Sequence, residues 1–290
     1  MFDHYERPLV IGHRGARGLF AENTIAGFSQ AISLGVDGLE LDVATTADRV
    51  VVVTHDPCLN PDIVRGRDGD WLLPPTPLVH ELSFAQFRDY DVGRLRPGSA
   101  YAAQFPDQHA ADGAWLPSLR EVLAATGEVP LLVEIKTFPD KPELTVAPAE
   151  MAELVMDALT IAGAIPRSMI LSFDWRALRH LHRHRPEIAT GWLTQKMSDA
   201  ERRLWWGEEL CSGRFLSPAR TTADQGGQWW LPEWCELRRH DINLARQLGL
   251  RVLPWGVERP DEMDRALDWG VDGLITDRPD LALKISGRWE

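Results

Sequence analysis

The sequence predicts an α/β protein folded as a TIM (β/α)8 barrel. Short apolar segments alternate with amphipathic helical stretches along the 290-residue chain. One of the candidate strands is tied too closely to its predecessor to run parallel, and removing it leaves eight. Histidine, acidic and basic residues gather where several strands end. Alternating strand and helix gives a parallel sheet covered by helices, and in the barrel form of that architecture the C-terminal strand ends carry the site.

The first strand is Leu9–Gly12. In the helix after it, Asn23 is the expected N-cap, Ile25, Phe28 and Ile32 face inward, and Gly35 ends the helix. The second strand is Gly38–Val43. Only six residues, Ala44 to Arg49, separate it from Val50–Thr54, whereas a parallel crossover needs about a dozen. Val50–Thr54 is therefore expected to fold back as a hairpin partner. Residues 57–117 then break the rhythm. They are rich in proline and glycine, and their one clear helix opens with Ser83 and Gln86 at capping-box spacing. Trp71, Phe84, Phe87, Tyr90 and Trp115 indicate a packed insertion over the barrel mouth rather than a disordered loop.

The remaining strands are Leu131–Lys136, Met169–Phe173, Ala189–Leu193, a weaker one near Trp230–Trp234, Arg251–Trp255 and Gly273–Thr276. Between the first two of these, Met151, Leu154, Val155, Ala158, Leu159 and Ala162 form one apolar helical stripe. Pro148 suits the first turn of that helix and Gly163 its C-terminal cap. The expectation is one domain over residues 1–290, with 57–117 as its capping insertion.

A net charge of -12 argues against general binding of nucleic acid or anionic lipid. No apolar run is long enough to span a membrane, so no stable membrane anchoring is expected. The opening residues lack a secretory pattern. Cys58, Cys211 and Cys235 are scattered and form no CxxC, which suits free thiols in a reducing, cytoplasmic setting. The oligomeric state is not written in any of these features.

The first strand runs into His13-Arg14, the second carries Glu40 and Asp42, the hairpin ends in His55-Asp56, and the next strand ends in Glu134-Ile135-Lys136. Residues i and i+2 share a face of a strand. Glu40 with Asp42, and Glu134 with Lys136, should therefore point into the barrel while Leu39, Leu41, Val43, Val133 and Ile135 pack outward. Three confined carboxylates repel one another unless a cation neutralises them. An all-oxygen set favours one divalent cation, Mg2+ or Ca2+. With Arg14 and Lys136 added, the five groups and a dication sum to a net charge of about +1, which suits a singly charged phosphodiester. GxSxG is absent, and two strand-end histidines point instead to general acid–base catalysis.

The ordered motifs HRG, AENT, ELDV, THD and EIK, followed by SFD at 172–174, PWGV at 254–257 and DGLITDRP at 272–279, resemble the glycerophosphodiester phosphodiesterase family over nearly the whole chain. The resemblance implies a metal-dependent TIM barrel that hydrolyses small-molecule glycerophosphodiesters, such as glycerophosphocholine or glycerophosphoethanolamine, to sn-glycerol 3-phosphate and an alcohol. By its motifs, His13 and His55 match the catalytic pair and Glu40, Asp42 and Glu134 the metal ligands. Arg14 and Lys136 match phosphate contacts, and Trp255 an aromatic at the substrate. The implied route passes through a cyclic phosphate. Four positions depart from the family pattern: Ala21 replaces a proline, Gly256 and Glu258 alter the usual WTVN, and Arg49 stands where glycine is common.

Two rivals remain. One is a lysophospholipase D or sphingomyelinase D-like phospholipase, which needs an apolar groove. The other is a non-catalytic glycerophosphodiester-binding barrel, against which the full set of motif residues counts. His180, His182 and His184 resemble a metal tract but sit at a basic helix end, where they favour the helix dipole. Trp205, Trp206, Trp229, Trp230 and Trp234 are read as packing.

Overall fold

The computed structural model describes residues 7–210 and 217–288. Among the described residues, nine strands form one sheet: β1 Leu9–Gly12, β2 Gly38–Thr45, β3 Val51–Val53, β4 Leu131–Ile135, β5 Ser168–Ser172, β6 Ala189–Thr194, β7 Trp229–Pro232, β8 Arg251–Val252 and β9 Gly273–Thr276. Eight of them are parallel, in the order β8-β7-β6-β5-β4-β2-β1-β9. β3 lies off this path, antiparallel to β2, as the short connection requires. The barrel closes where Trp255 bridges Ile275. β8 is shorter than the expected Arg251–Trp255 because Pro254 has no N–H to give the ladder. Its carbonyl still accepts from Ile275 N at 2.9 Å, and Trp255 N donates to Pro232 O at 3.1 Å.

The strands are apolar on both faces because each packs on helices outside and on the barrel core inside. Leu39, Leu41, Val43, Val133 and Ile135 join the outer core with Phe28, Val155 and Leu159 from the helices Ile25–Leu34 and Pro148–Ile161. Leu9, Ile11, Leu132, Met169, Leu171, Leu231, Leu253 and Ile275 fill the interior. Burying each such side chain contributes about 1.5–3 kcal/mol before entropy. This inner plug occupies the N-terminal part of the barrel and leaves the C-terminal mouth to polar groups.

Several local expectations hold. Pro148 opens its helix, Gly163 follows the helix in the left-handed conformation, and Ser83 and Gln86 form the capping box. Gly35 caps the first helix. The N-cap of that helix is Thr24, not Asn23: the Thr24 hydroxyl accepts from Gly27 N at 3.0 Å. Asn23 is freed for another task, because it sits at φ 56 and its Nδ2 donates to Asp42 Oδ2 at 3.1 Å. Arg49, at a position where the family often has glycine, adopts φ 63. A φ in that left-handed region is one that glycine adopts without the steric cost an L side chain carries.

Residues 57–117 have a small core of their own. Leu59, Ile63, Val64, Val79, Phe87, Val92 and Leu116 pack on Ala44 and Val52 of the β2–β3 hairpin. Gln104 and Phe105 from this segment reach the pocket at the barrel mouth. The tryptophans pack: Trp175 stacks on Trp206 with ring centroids 4.2 Å apart and meets Trp192 edge-on. Trp229, Trp230 and Trp234 are buried, and Trp205 is packed against the outer core. His180 Nε2 lies 2.7 Å from Glu153, and none of the three clustered histidines belongs to a metal-capable group among the described residues. Cys58 and Cys235 are free thiols, and Cys211 lies outside the described residues.

Candidate active site

Register and alternation build the site. In β2 and β4, Asp42 pairs with Glu134 across the ladder, and Glu40 is two residues earlier on the same face. Carboxylate oxygens of Glu40, Asp42 and Glu134 lie within 4.8 Å of one another, and all three residues are buried. Burial and the neighbouring carboxylates push Glu40 well up, and burial also raises Glu134. Burial would raise Asp42 too, but the Lys136 ammonium and Arg14 guanidinium outweigh it and hold Asp42 well down. Glu40 Oε1 is buried without a hydrogen-bond partner, and Asp42 Oδ1 has only the Lys136 ammonium at 3.0 Å. Under-satisfied acceptors on Glu40 and Asp42, converging with the Glu134 carboxylate, fit a hard divalent cation.

His13 follows β1 directly. Gly12 permits the turn, since a Cβ there would stand 1.8 Å from Gly15 O. Arg14 at φ 50 then aims its backbone N–H at Glu40 Oε2, 3.1 Å away. His13 Nδ1 is 2.6 Å from Asp277 Oδ1, and His13 Nε2 is 3.7 Å from Glu40. Burial, reinforced by Arg17 and Arg14, lowers the His13 imidazole to about 4 despite Asp277. His55 follows the hairpin strand. Its Nδ1 is 2.7 Å from Asp56 Oδ1, and Asp56 is in turn held by Asn60 Nδ2 at 2.9 Å. An ionised carboxylate only accepts, so in each pair Nδ1 carries the hydrogen and Nε2 is left for chemistry.

The cations are already engaged with the carboxylates. Lys136 Nζ lies 2.6 Å from Glu134 and 3.0 Å from Asp42. Arg14 donates to Glu22 at 2.8 Å, and its Nε lies 3.0 Å from Asp42. Trp255 meets Phe173 edge-on at 5.6 Å and forms an aromatic wall with it. All eight residues singled out in the sequence converge here. Seven of them line one cavity of about 450 Å3, and the eighth, Asp42, contacts the lining Lys136 at 3.0 Å. Arg17, Asp277 and Glu258 also line the cavity. Arg17 and Asp277 cancel each other, and Glu22 offsets Arg14, so the pocket is closer to neutral than the five-group sum implied.

Asp277 had a readable signal. Gly273, Ile275 and Asp277 alternate onto the inner face of β9, and in a closed barrel the last strand borders the first, with Gly12 in register with Thr276. Arg17 and the insertion's Tyr101 and Phe105 had none, because loop approach is not periodic.

Glu258 accepts from Asp277 N at 2.9 Å and from Thr276 Oγ1 at 3.0 Å. Burial and then the Asp277 carboxylate push it up to about 8. A carboxyl raised above its unfolded value near 4.3 loses stabilisation as pH climbs between the two values. Glu258→Gln should therefore match the wild type in thermal stability near pH 4 and exceed it increasingly towards pH 8. A constant gap across that range would mean that Glu258 is ionised throughout.

A parallel eight-stranded barrel whose C-terminal mouth joins a carboxylate cluster to paired histidines defines the class of metal-capable barrel hydrolases. The chain belongs to the glycerophosphoryl diester phosphodiesterase family, whose model matches residues 13–281, and its class is that of the phosphoric diester hydrolases. It is similar to a solved structure from Silicibacter pomeroyi described as a candidate glycerophosphoryl diester phosphodiesterase, with 35% identity, a TM-score of 0.88 and coverage of 98% of this chain and 94% of that one. It is 27% identical over 279 residues to the glycerophosphodiester phosphodiesterase of Caldanaerobacter subterraneus subsp. tengcongensis, covering 96% of this chain and 98% of that protein. It is 24% identical over 288 residues to the lysophospholipase D GDPD1 of Homo sapiens, covering 93% of this chain and 83% of that protein.

Proposed function

We propose that this protein hydrolyses glycerophosphodiesters to sn-glycerol 3-phosphate and an alcohol, with one divalent cation, Mg2+ or Ca2+, held by Glu40, Asp42 and Glu134. The observation that carries the reading is the buried carboxylate triad within 4.8 Å, opening onto a cavity that both strand-end histidines line. When bound, the cation stabilises negative charge on a phosphoryl oxygen. The residues of the chain do the rest. Arg14 and Lys136 bind the phosphodiester anion, and Trp255 with Phe173 supports the organic part of the substrate.

His13 and His55 divide the proton transfers. One takes the proton of the glycerol 2-hydroxyl as its oxygen attacks phosphorus, and the other protonates the departing alkoxide as the P–O bond breaks. The product of that step is a cyclic phosphate, which water opens by the same proton transfers in reverse. Asp277 and Asp56 keep each Nδ1 occupied, so both histidines present Nε2. The insertion 57–117 acts as the cap of the barrel, a role supported by Gln104 and Phe105 in the cavity wall. The free thiols at Cys58 and Cys235 support placement in a reducing, cytoplasmic setting. No helix among the described residues is long and apolar enough to cross a membrane.

A lysophospholipase D activity is favoured by one feature, the apolar cavity wall of Leu171, Phe173, Leu193, Trp255 and Ile275. A head-group panel separates the two readings. Turnover of glycerophosphocholine should exceed that of lysophosphatidylcholine, and the opposite ranking would favour the lipid substrate. No turnover of any diester with Mg2+ or Ca2+ would leave only a binding barrel.

A further inference from the structure

The two histidines are held in different ways. Asp56, beside His55 in sequence, is partly open to solvent and is steadied by the neutral Asn60. Asp277, which holds His13, is buried and gripped by a guanidinium. Arg17 Nε donates to Asp277 Oδ1 at 2.9 Å and Arg17 Nη2 to Oδ2 at 2.8 Å, a two-pronged contact that fixes the carboxylate in plane. The backbone closes the frame: Gly18 N donates to Asp277 O at 3.0 Å, and Asp277 N donates to Glu258.

Arg17 is itself held from the insertion. Its guanidinium lies over the Phe105 ring at 4.7 Å, and its Nη1 reaches the Tyr101 hydroxyl at 3.3 Å. Gln108 Nε2 donates to the Arg17 carbonyl at 2.8 Å. The Tyr101 hydroxyl also donates to Glu22, the partner of Arg14. Tyr101, Phe105 and Gln108 thus connect a surface insertion to the first strand's histidine through one arginine and one aspartate.

We propose that Asp277, braced by Arg17 and through it by Tyr101 and Phe105 of the insertion, is the positioning residue that fixes the tautomer and orientation of His13. Neither Asp277 nor Arg17 is assigned a reacting atom. Asp277 accepts the Nδ1 hydrogen, so Nε2 is the nitrogen available to move a proton. Arg17 keeps the aspartate from swinging away, and the insertion is part of the positioning machinery as well as a cap. The proposal rests on the phosphodiesterase reading for its kinetic consequence, but the hydrogen bond at its centre can be observed without any turnover.

The test measures kcat and KM on glycerophosphocholine together with the proton NMR spectrum of 15N-histidine-labelled protein. The wild type should show a strongly deshielded Nδ1 proton, assigned by its loss in His13→Gln. Asp277→Asn should abolish that resonance and lower kcat by about a hundredfold or more, as a misoriented imidazole would, with KM changed only a few-fold. Asp277→Glu should recover part of both. Arg17→Lys should shift the resonance and reduce kcat by about tenfold, and it carries the test if Asp277→Asn does not fold. Tyr101→Phe should shift the same resonance. A wild-type kcat in Asp277→Asn, or a persistent His13 resonance in it, would overturn the dyad. An unmoved resonance and unchanged kcat in Tyr101→Phe would remove the insertion from it. If the wild type turns over no diester yet the resonance behaves as described, the dyad stands and the phosphodiesterase reading is what fails.

Discussion

Glu40→Gln should leave the metal-free protein at least as stable as the wild type at pH 7 and still abolish its stabilisation by Mg2+ or Ca2+. Burial and the carboxylates of Asp42 and Glu134 raise Glu40 well above its ordinary range. A group raised in the folded state stabilises fully below its unfolded value and loses that contribution as pH rises. Glutamine keeps the shape and does not titrate, so the metal-free variant escapes this cost. A ligand present at a hundred times its Kd stabilises the wild type by about 2.7 kcal/mol, and a variant without the site gains none of it. Thermal melting with and without metal reads both effects, and activity should fall with the lost affinity. An unchanged metal-induced shift in Tm would place the cation elsewhere.

His13→Ala and His55→Ala should each reduce kcat by about 10²–10⁴-fold, the range general acid–base groups contribute. The double variant should lose much less than the product of the two, because residues acting as one unit are not additive. Each histidine lines the same cavity with Nδ1 already committed to a carboxylate. Truncation therefore removes a proton carrier and little packing. Near-wild-type kcat in either single variant would take that residue out of the chemistry. Circular dichroism of both variants checks that the fold survives.

The barrel was legible because its signals are periodic. Alternation put Glu40, Asp42, Glu134 and Lys136 on the inner face, and the short link after Val43 allowed only a hairpin. Strand ends were less legible where the backbone lacks an N–H, as at Pro254. Asn23 illustrates a competing demand. As an N-cap it would have satisfied one helix, but its amide is used to hold Asp42, and Thr24 takes the capping role. The braces around His13 were the least legible. Arg17 and Tyr101 are 84 residues apart in sequence and meet only because the insertion folds back over the first loop. Glu258, visible as a departure from the family pattern, gained meaning only when burial beside Asp277 showed its carboxyl raised to about 8.

The most direct test of the central claim is the release of sn-glycerol 3-phosphate from glycerophosphocholine by EDTA-stripped protein, measured before and after titration with Mg2+ or Ca2+. The expected result is no product from stripped protein, saturable recovery with one equivalent of metal, and no recovery in Glu40→Gln at the same concentration. Full activity in stripped protein, or equal metal rescue of Glu40→Gln, would contradict a reaction supported by a cation on Glu40, Asp42 and Glu134.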